Sequence, residues 1–165
     1  DMLRKVAGWA KRHHVPVSLT GIDLSPWSAK SAQEATPPDL RIDWRTGDVF
    51  AFQPDQPIDV IISALVMHHL PDSALVRFLR WQEKTARIGW FVNDLHRHRL
   101  SYHVFAAASR LMRMHHFVQN DGPVSIARSF VRHDWDRYLA EAGVTGARVD
   151  WWMPFRLCVS QVRAR

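Results

Sequence analysis

Cysteine is all but absent: Cys158 stands alone in 165 residues, so no intrachain disulfide can staple the chain. It lies in an apolar run, which predicts a buried, inert thiol rather than a nucleophile. No apolar run approaches the roughly 18–20 residues that a membrane span requires, and no leader pattern opens the chain. These absences exclude a disulfide scaffold and a membrane span, and they predict a cytoplasmic protein. Lysine is scarce as well, 4 against 18 arginines. A methionine start is missing: residue 1 is Asp1, so the chain reads as a fragment, a processed product or an incompletely represented gene.

What is present fits an ordinary globular composition, 47% hydrophobic and 23% charged. The length predicts one domain over residues 1–165 with enough chain for a real core. The net charge of +6 is unevenly spread. Up to Glu83 there are 9 basic and 10 acidic residues; from Lys84 onward there are 13 basic and 6 acidic. A nucleic-acid or anionic-ligand surface and a solvated arginine-rich face both fit that excess.

Apolar spacing predicts an amphipathic helix over residues 1–14, with Leu3, Val6 and Ala10 on one face. Val15–Ile22 is β-branched and ends in Asp23, as a buried strand would. Ser25 and Pro26 supply an N-cap and a first helical residue for a helix to Ala35. Further strands are predicted at Leu40–Trp44, Ile58–Ser63 and Ile88–Val92, with Asn93 and Asp94 closing the last. A helix starts at Pro71 and Asp72. Asn120-Asp121-Gly122-Pro123 reads as a turn. Val131–Ala142 is a helix ended by Gly143, and strands at Ala147–Trp151 and Leu157–Val162 meet through Pro154. Alternating strands and helices predict an open α/β sheet with helices on both faces. The last two strands, joined without a helix, pair antiparallel. Ligands of such sheets bind at the carboxyl ends of the strands.

Three polar positions fall at successive strand ends: Asp23 in TGIDLSP, Asp48 in TGDVF, and Ser63 in IDVIISALVMHHLPD. A carboxylate after a buried strand suits the paired hydroxyls of a ribose, with Leu24 against a purine. Asp48, about 25 residues on, can accept from an adenine amine while the Val49 N–H donates to the ring. Each has a plainer reading as well: a solvated loop acid or N-cap for Asp23, and a turn residue after Gly47 for Asp48.

In order and spacing, these segments resemble the class I S-adenosylmethionine-dependent methyltransferases of the ubiquinone and menaquinone biosynthesis type. The EAGV segment before the penultimate strand resembles the same group. The resemblance implies a Rossmann-like class I sheet with its last strand antiparallel, and S-adenosyl-L-methionine as cofactor. It implies that Asp23 holds the ribose hydroxyls, Leu24 flanks the adenine, and Asp48 with Val49 reads its edge. Ser63, Ala64 and Leu65 would line the path towards the sulfonium. His68 and His69 would be scaffold, packing and bonding to backbone. The family's first strand, which is central to its sheet, and its acidic glycine-rich loop have no counterpart in these residues. Asp1 would stand just after that loop, and the complete protein is expected to carry it.

Residues from about 94 to 130 form the expected substrate-cap insert, with five histidines between His96 and His116. Its aromatic and methionine content suits a planar apolar acceptor. NDLHRH resembles methyltransferases encoded near type III polyketide synthases, which implies secondary metabolism and O-methylation of a phenolic or polyketide hydroxyl. A phenol attacking a sulfonium methyl must lose its proton, and His96 and His98, just past a strand end, are the candidate bases; a packing role is the alternative for each. No HExxH spacing or cysteine partner supports a metal site, so none is expected.

Trp81, Trp90, Trp135, Trp151 and Trp152 are expected core or interface residues, and the Trp151-Trp152 pair fits a homodimer or cap contact. The alternatives are a C- or N-methyltransferase on a quinone-like or amine acceptor, and a non-catalytic binding module of the same fold. SALV stands where an Asn-Pro-Pro-Tyr motif would serve base methylation, so no nucleic-acid substrate is expected.

Overall fold

In the computed structural model, which describes residues 2–163, the chain divides into two compact units, residues 1–55 and 56–165. The first contains α1 (Met2–Arg12), β1 (Thr20–Asp23), α2 (Pro26–Glu34) and β2 (Asp43–Thr46). β1 and β2 pair in parallel, with Thr20 opposite Asp43 and Asp23 opposite Thr46. Ser25 caps α2 as expected, its side chain accepting from the Ser28 N–H.

Two strands here are shorter or later than predicted. Val15 belongs to the end of α1: His14 is left-handed at φ 54, and the Val15 N–H returns to the Ala10 carbonyl at 2.9 Å. The predicted strand therefore survives only at Thr20–Asp23, and Val15 and Val17 are exposed. Likewise the Leu40 N–H closes a turn onto the Pro37 carbonyl, so β2 begins at Asp43 rather than Leu40.

The second unit contains β3 (Val60–Ala64), α3 (Asp72–Thr85), β4 (Gly89–Leu95), α4 (Arg99–Leu111), α5 (His116–Arg128), α6 (Arg132–Ala142), β5 (Arg148–Trp152) and β6 (Arg156–Val162). A single 3-10 turn, Met67–His69, follows β3. The sheet order is β3-β4-β6-β5, with β3 and β4 parallel and β6 antiparallel to both neighbours. This is a mixed α/β sheet whose last strand runs antiparallel, as the resemblance implied. β1 and β3 are edge strands of their sheets among the described residues.

Side chains alternate along β4, so Trp90, Val92 and Asp94 share one face. Trp90, Val92, Val159, Leu75, Leu79 and Trp135 are almost fully buried in the core, and α3 packs on both β4 and α6. Gly143 ends α6 at φ 72, the left-handed backbone that glycine adopts without a Cβ penalty. Cys158 is buried as predicted, and burial raises its thiol pKa, which keeps the thiolate scarce. Trp151 and Trp152 are exposed.

The insert differs from its prediction at one point. It is a hairpin of two helices, and the expected turn at Asn120–Pro123 lies inside α5. The reason is local packing. A Cβ at Gly122 would stand 2.1 Å from the Phe105 ring of α4, so glycine lets the two helices close together. Packing outweighs the breaker signal. β4 also runs past its predicted end at Val92, because β6 continues the ladder as far as Leu95 opposite Arg156.

Candidate functional site

In the first unit, Asp23 is the last residue of β1 and is exposed. Its Oδ1 accepts from the Ser25 N–H at 2.8 Å, which ties it to the start of α2. No hydrogen bond among the described residues occupies Oδ2. Leu24, beside it, is exposed. The Asp23 carbonyl accepts from the Gly47 N–H at 2.9 Å, so the two strand ends advance in step. Asp48 follows at once, exposed, with Oδ1 accepting from the Phe50 N–H at 2.9 Å. That bond fixes the turn carrying Val49, which is half-buried. Both acids thus act as turn residues here, and each keeps acceptor capacity directed away from its own turn.

In the second unit, Ser63 and Ala64 end β3 and Leu65 leaves it. The Ser63 Oγ is buried without a hydrogen-bond partner. Leu65 adopts φ 60, a left-handed conformation unusual for a branched residue, and its N–H bonds the Asn93 carbonyl at 2.9 Å. Strain of this kind at a strand end persists where surrounding bonds over-determine it.

Further bonds beside it come from Asp94, which the sequence marks only as closing a strand. Asp94 is fully buried, on β4 next to the turn that follows β3. Its Oδ2 accepts from the Met67 N–H at 2.9 Å and the His68 N–H at 3.4 Å. Its Oδ1 accepts from the Leu95 N–H at 2.7 Å and from His68 Nδ1 at 2.6 Å. Four donors on one buried carboxylate satisfy it completely. His68 is therefore scaffold as expected, yet it bonds an acid side chain and not the backbone. His69 is exposed and its ring lies 4.1 Å from that of His68. The hint in the sequence was an acid at the second-to-last position of a buried strand, with a histidine after the preceding strand.

His96 and His98 stand just beyond β4, and their ring centroids are 5.7 Å apart. They differ in what they can do. His98 caps α4, its Nδ1 accepting from the Leu100 N–H at 3.1 Å. Its ring also stacks on Phe155 at 5.7 Å, which joins the start of α4 to the β5–β6 turn. A nitrogen lone pair committed to a cap is not available as a proton acceptor. His96 has its Nδ1 buried and unpartnered. Burial, with a smaller contribution from the nearby His98, lowers its pKa below the ordinary imidazole value. The neutral ring, the proton-accepting form, is thereby favoured.

A cavity of about 270 Å³ opens beside His98, between α4 and α5. It is lined by Arg97, His98, Arg99, Tyr102, His103, Ile126 and Ala127. Arg97 is held away by Asp134 at 2.9 Å and the Ser129 carbonyl at 3.0 Å. Among the described residues, no group of three histidine, cysteine or acidic side chains is placed to hold a metal.

The Asp94 arrangement predicts an asymmetry between its two partners. Asp94→Ala leaves several buried donors unpaired and should lower stability by about 3–5 kcal/mol. His68→Ala leaves the carboxylate three backbone donors and should cost about 1–3 kcal/mol. The double variant should cost no more than Asp94→Ala alone, as measured by urea unfolding. Additive losses would show that the two residues act independently.

Residues 5–89 match a family profile described as a methyltransferase domain. That stretch contains Asp23, Leu24, Asp48, Val49 and Ser63–Leu65, and stops before His96 and His98. Over 59 residues the chain is 39% identical to the 2-methyl-6-phytyl-1,4-hydroquinone methyltransferase of Synechocystis sp. (strain ATCC 27184 / PCC 6803 / Kazusa). That alignment covers 35% of this chain and 19% of the relative, so the chain spans only a small part of that curated protein. Among solved structures, the plantazolicin methyltransferase BpumL, in complex with a triazolic desmethylPZN analog and SAH, superposes with a TM-score of 0.69 at 14% identity. The match covers 97% of this chain and 72% of that one. LepI in complex with SAM gives a TM-score of 0.64 at 12% identity, over 98% of this chain and 40% of that one. PigF with SAH gives 0.65 at 11% identity, over 98% and 48%. At such identities the structures show a shared fold. With half of its residues matched to the family profile, the chain belongs to the methyltransferase domain family.

Proposed function

We propose that this chain is part of an S-adenosylmethionine-dependent methyltransferase that methylates a hydroxyl of a small aromatic or polyketide-type acceptor. The observation that carries the cofactor assignment is Asp23, at the carboxyl end of the parallel strand β1, with one carboxylate oxygen fixing its own turn and the other unengaged. Open α/β sheets take ligands at that end. Asp23 holds the ribose hydroxyls, Leu24 flanks the adenine, and Asp48 and the Val49 N–H read its edge. Ser63, Ala64 and Leu65 line the methionine portion. The orphaned Ser63 hydroxyl and the left-handed backbone at Leu65 fit a strand end whose polar partner is a bound group. When bound, S-adenosylmethionine supplies an electrophilic methyl group on a sulfonium.

The chain's own residues do the rest. The acceptor enters beside α4 and α5, where the cavity of about 270 Å³ suits a ring-sized molecule. His96 accepts the proton that the hydroxyl loses as its oxygen attacks, and His98, fixed by its capping bond, holds the segment in place. Most of the remaining effect is positioning of two reactants in line. The plantazolicin methyltransferase and the hydroquinone methyltransferase among the relatives support a small-molecule acceptor. An aromatic acceptor rests on the tyrosine and histidines that line the cavity.

Two outcomes follow. In titration calorimetry of the full-length protein, Asp23→Ala should weaken S-adenosylhomocysteine binding by about 1–3 kcal/mol; unchanged affinity would remove the ribose assignment. For the base, the sign is set by the lowered pKa of His96. It stays neutral, and active, below the ordinary value of about 6.5, and activity falls only at more acidic pH as the ring takes a proton. His96→Asn should abolish that acidic limb and reduce kcat by about 10²–10⁴. An unaltered pH profile would assign the proton transfer elsewhere.

A further inference from the structure

The α4–α5 hairpin shows one face to solvent that its role over the acceptor does not explain. At 100° per residue, Leu100, Val104, Ala107 and Leu111 fall within a narrow stripe along α4. The stripe is turned outwards: Leu100 is 55% exposed, Val104 51% and Leu111 86%. The face of α4 that packs inward is instead built on Ser101 and Ser109, which are buried, with Phe105. An amphipathic helix that buries its serines and exposes its leucines has its apolar side set for something other than its own core.

The surroundings of the stripe define the partner. No acidic residue occurs from Leu95 to Asn120, whereas Arg97, Arg99, Arg110 and Arg113 do. Arg110 flanks the stripe along one side, as do Arg99 and His103, which also line the cavity. Among the described residues Arg99, Arg110 and Arg113 make no ion pair. More exposed apolar surface adjoins it. Phe117 is exposed at the start of α5, and Trp151, Trp152 and Met153 are exposed at the β5–β6 turn, whose Phe155 stacks on the cap of α4.

From these observations we propose that α4, with the adjoining β5–β6 turn, docks on an anionic lipid surface. Aliphatic residues enter the acyl boundary, arginines meet lipid phosphates, and tryptophans lie at headgroup level, each the ordinary preference of its side-chain type. A second copy of the chain would bring an acid-free arginine face against its like. A nucleic acid would meet the arginines but leave the aliphatic centre of the stripe against phosphate and sugar. A surface that is both anionic and apolar satisfies charge and apolarity together. The proposal stands apart from the methyl-transfer reading, because it needs neither cofactor nor acceptor.

The test is flotation of the full-length protein with vesicles of phosphatidylcholine containing phosphatidylglycerol, and with phosphatidylcholine alone. The protein should float with the anionic vesicles and not with the neutral ones, and added salt should weaken the association. Leu100→Gln with Leu111→Gln should reduce it about tenfold, as should Arg110→Ser with Arg113→Ser, at unchanged far-ultraviolet circular dichroism. Should a variant unfold, the native protein still decides: its tryptophan emission should shift to the blue on anionic vesicles only. The proposal is overturned by no flotation with anionic vesicles, by equal flotation with neutral ones, or by folded variants that bind as well as the native chain. It is overturned too if the same face instead binds an oligonucleotide, or holds a dimer that the leucine variants dissociate.

Discussion

The carboxylate of Asp94 is the constraint on which the second unit's functional end is built. A fully buried acid is tolerated only when donors surround it, and here four do. Three of those donors come from Met67 and His68, in the turn that follows β3, and the fourth from Leu95 on its own strand. The acid therefore clasps the exit of one strand to the end of the next. The Leu65 N–H bond to the Asn93 carbonyl adds a second tie across the same gap. Leu65 is held at one of these fastenings, and Ser63 and Ala64 just before it are paired with Val92 and Asn93 in the β3–β4 ladder. Past the clasp, the chain delivers His96 and His98 at once.

The same strand end explains why two histidines so close in sequence differ in chemistry. His98 spends its Nδ1 lone pair on the first turn of α4 and its ring face on Phe155. His96 is denied a partner for Nδ1, and burial holds it neutral. Sequence places both past a strand; only the start of the next helix separates a capping imidazole from an unpartnered one.

Much of the architecture was legible in the residues. Strand periodicity located β3 and β4, the Ser25-Pro26 and Pro71-Asp72 pairs marked helix starts, and Gly143 marked a helix end. What failed depended on distant partners. Asn120–Pro123 carries every local mark of a turn, but Phe105 needs the space at Gly122 and the helix continues. Val15 and Val17 have strand chemistry and no strand to join, because the preceding helix captures the Val15 N–H. Asp94 looked like the close of a strand since three of its four donors lie 26 or more residues away. The apolar spacing of Leu100, Val104 and Leu111 was visible, whereas its outward direction was not, because two buried serines decide it.

The proposed cofactor site takes the nucleoside of S-adenosylmethionine at Asp23 and its sulfur end at Ser63–Leu65. A crystal structure of the full-length protein with S-adenosylhomocysteine tests it most directly. The account predicts both ribose hydroxyls within about 2.6–3.2 Å of the Asp23 carboxylate, and the thioether beside Ser63–Leu65. A ribose bound away from Asp23, or a thioether remote from that strand end, would contradict it.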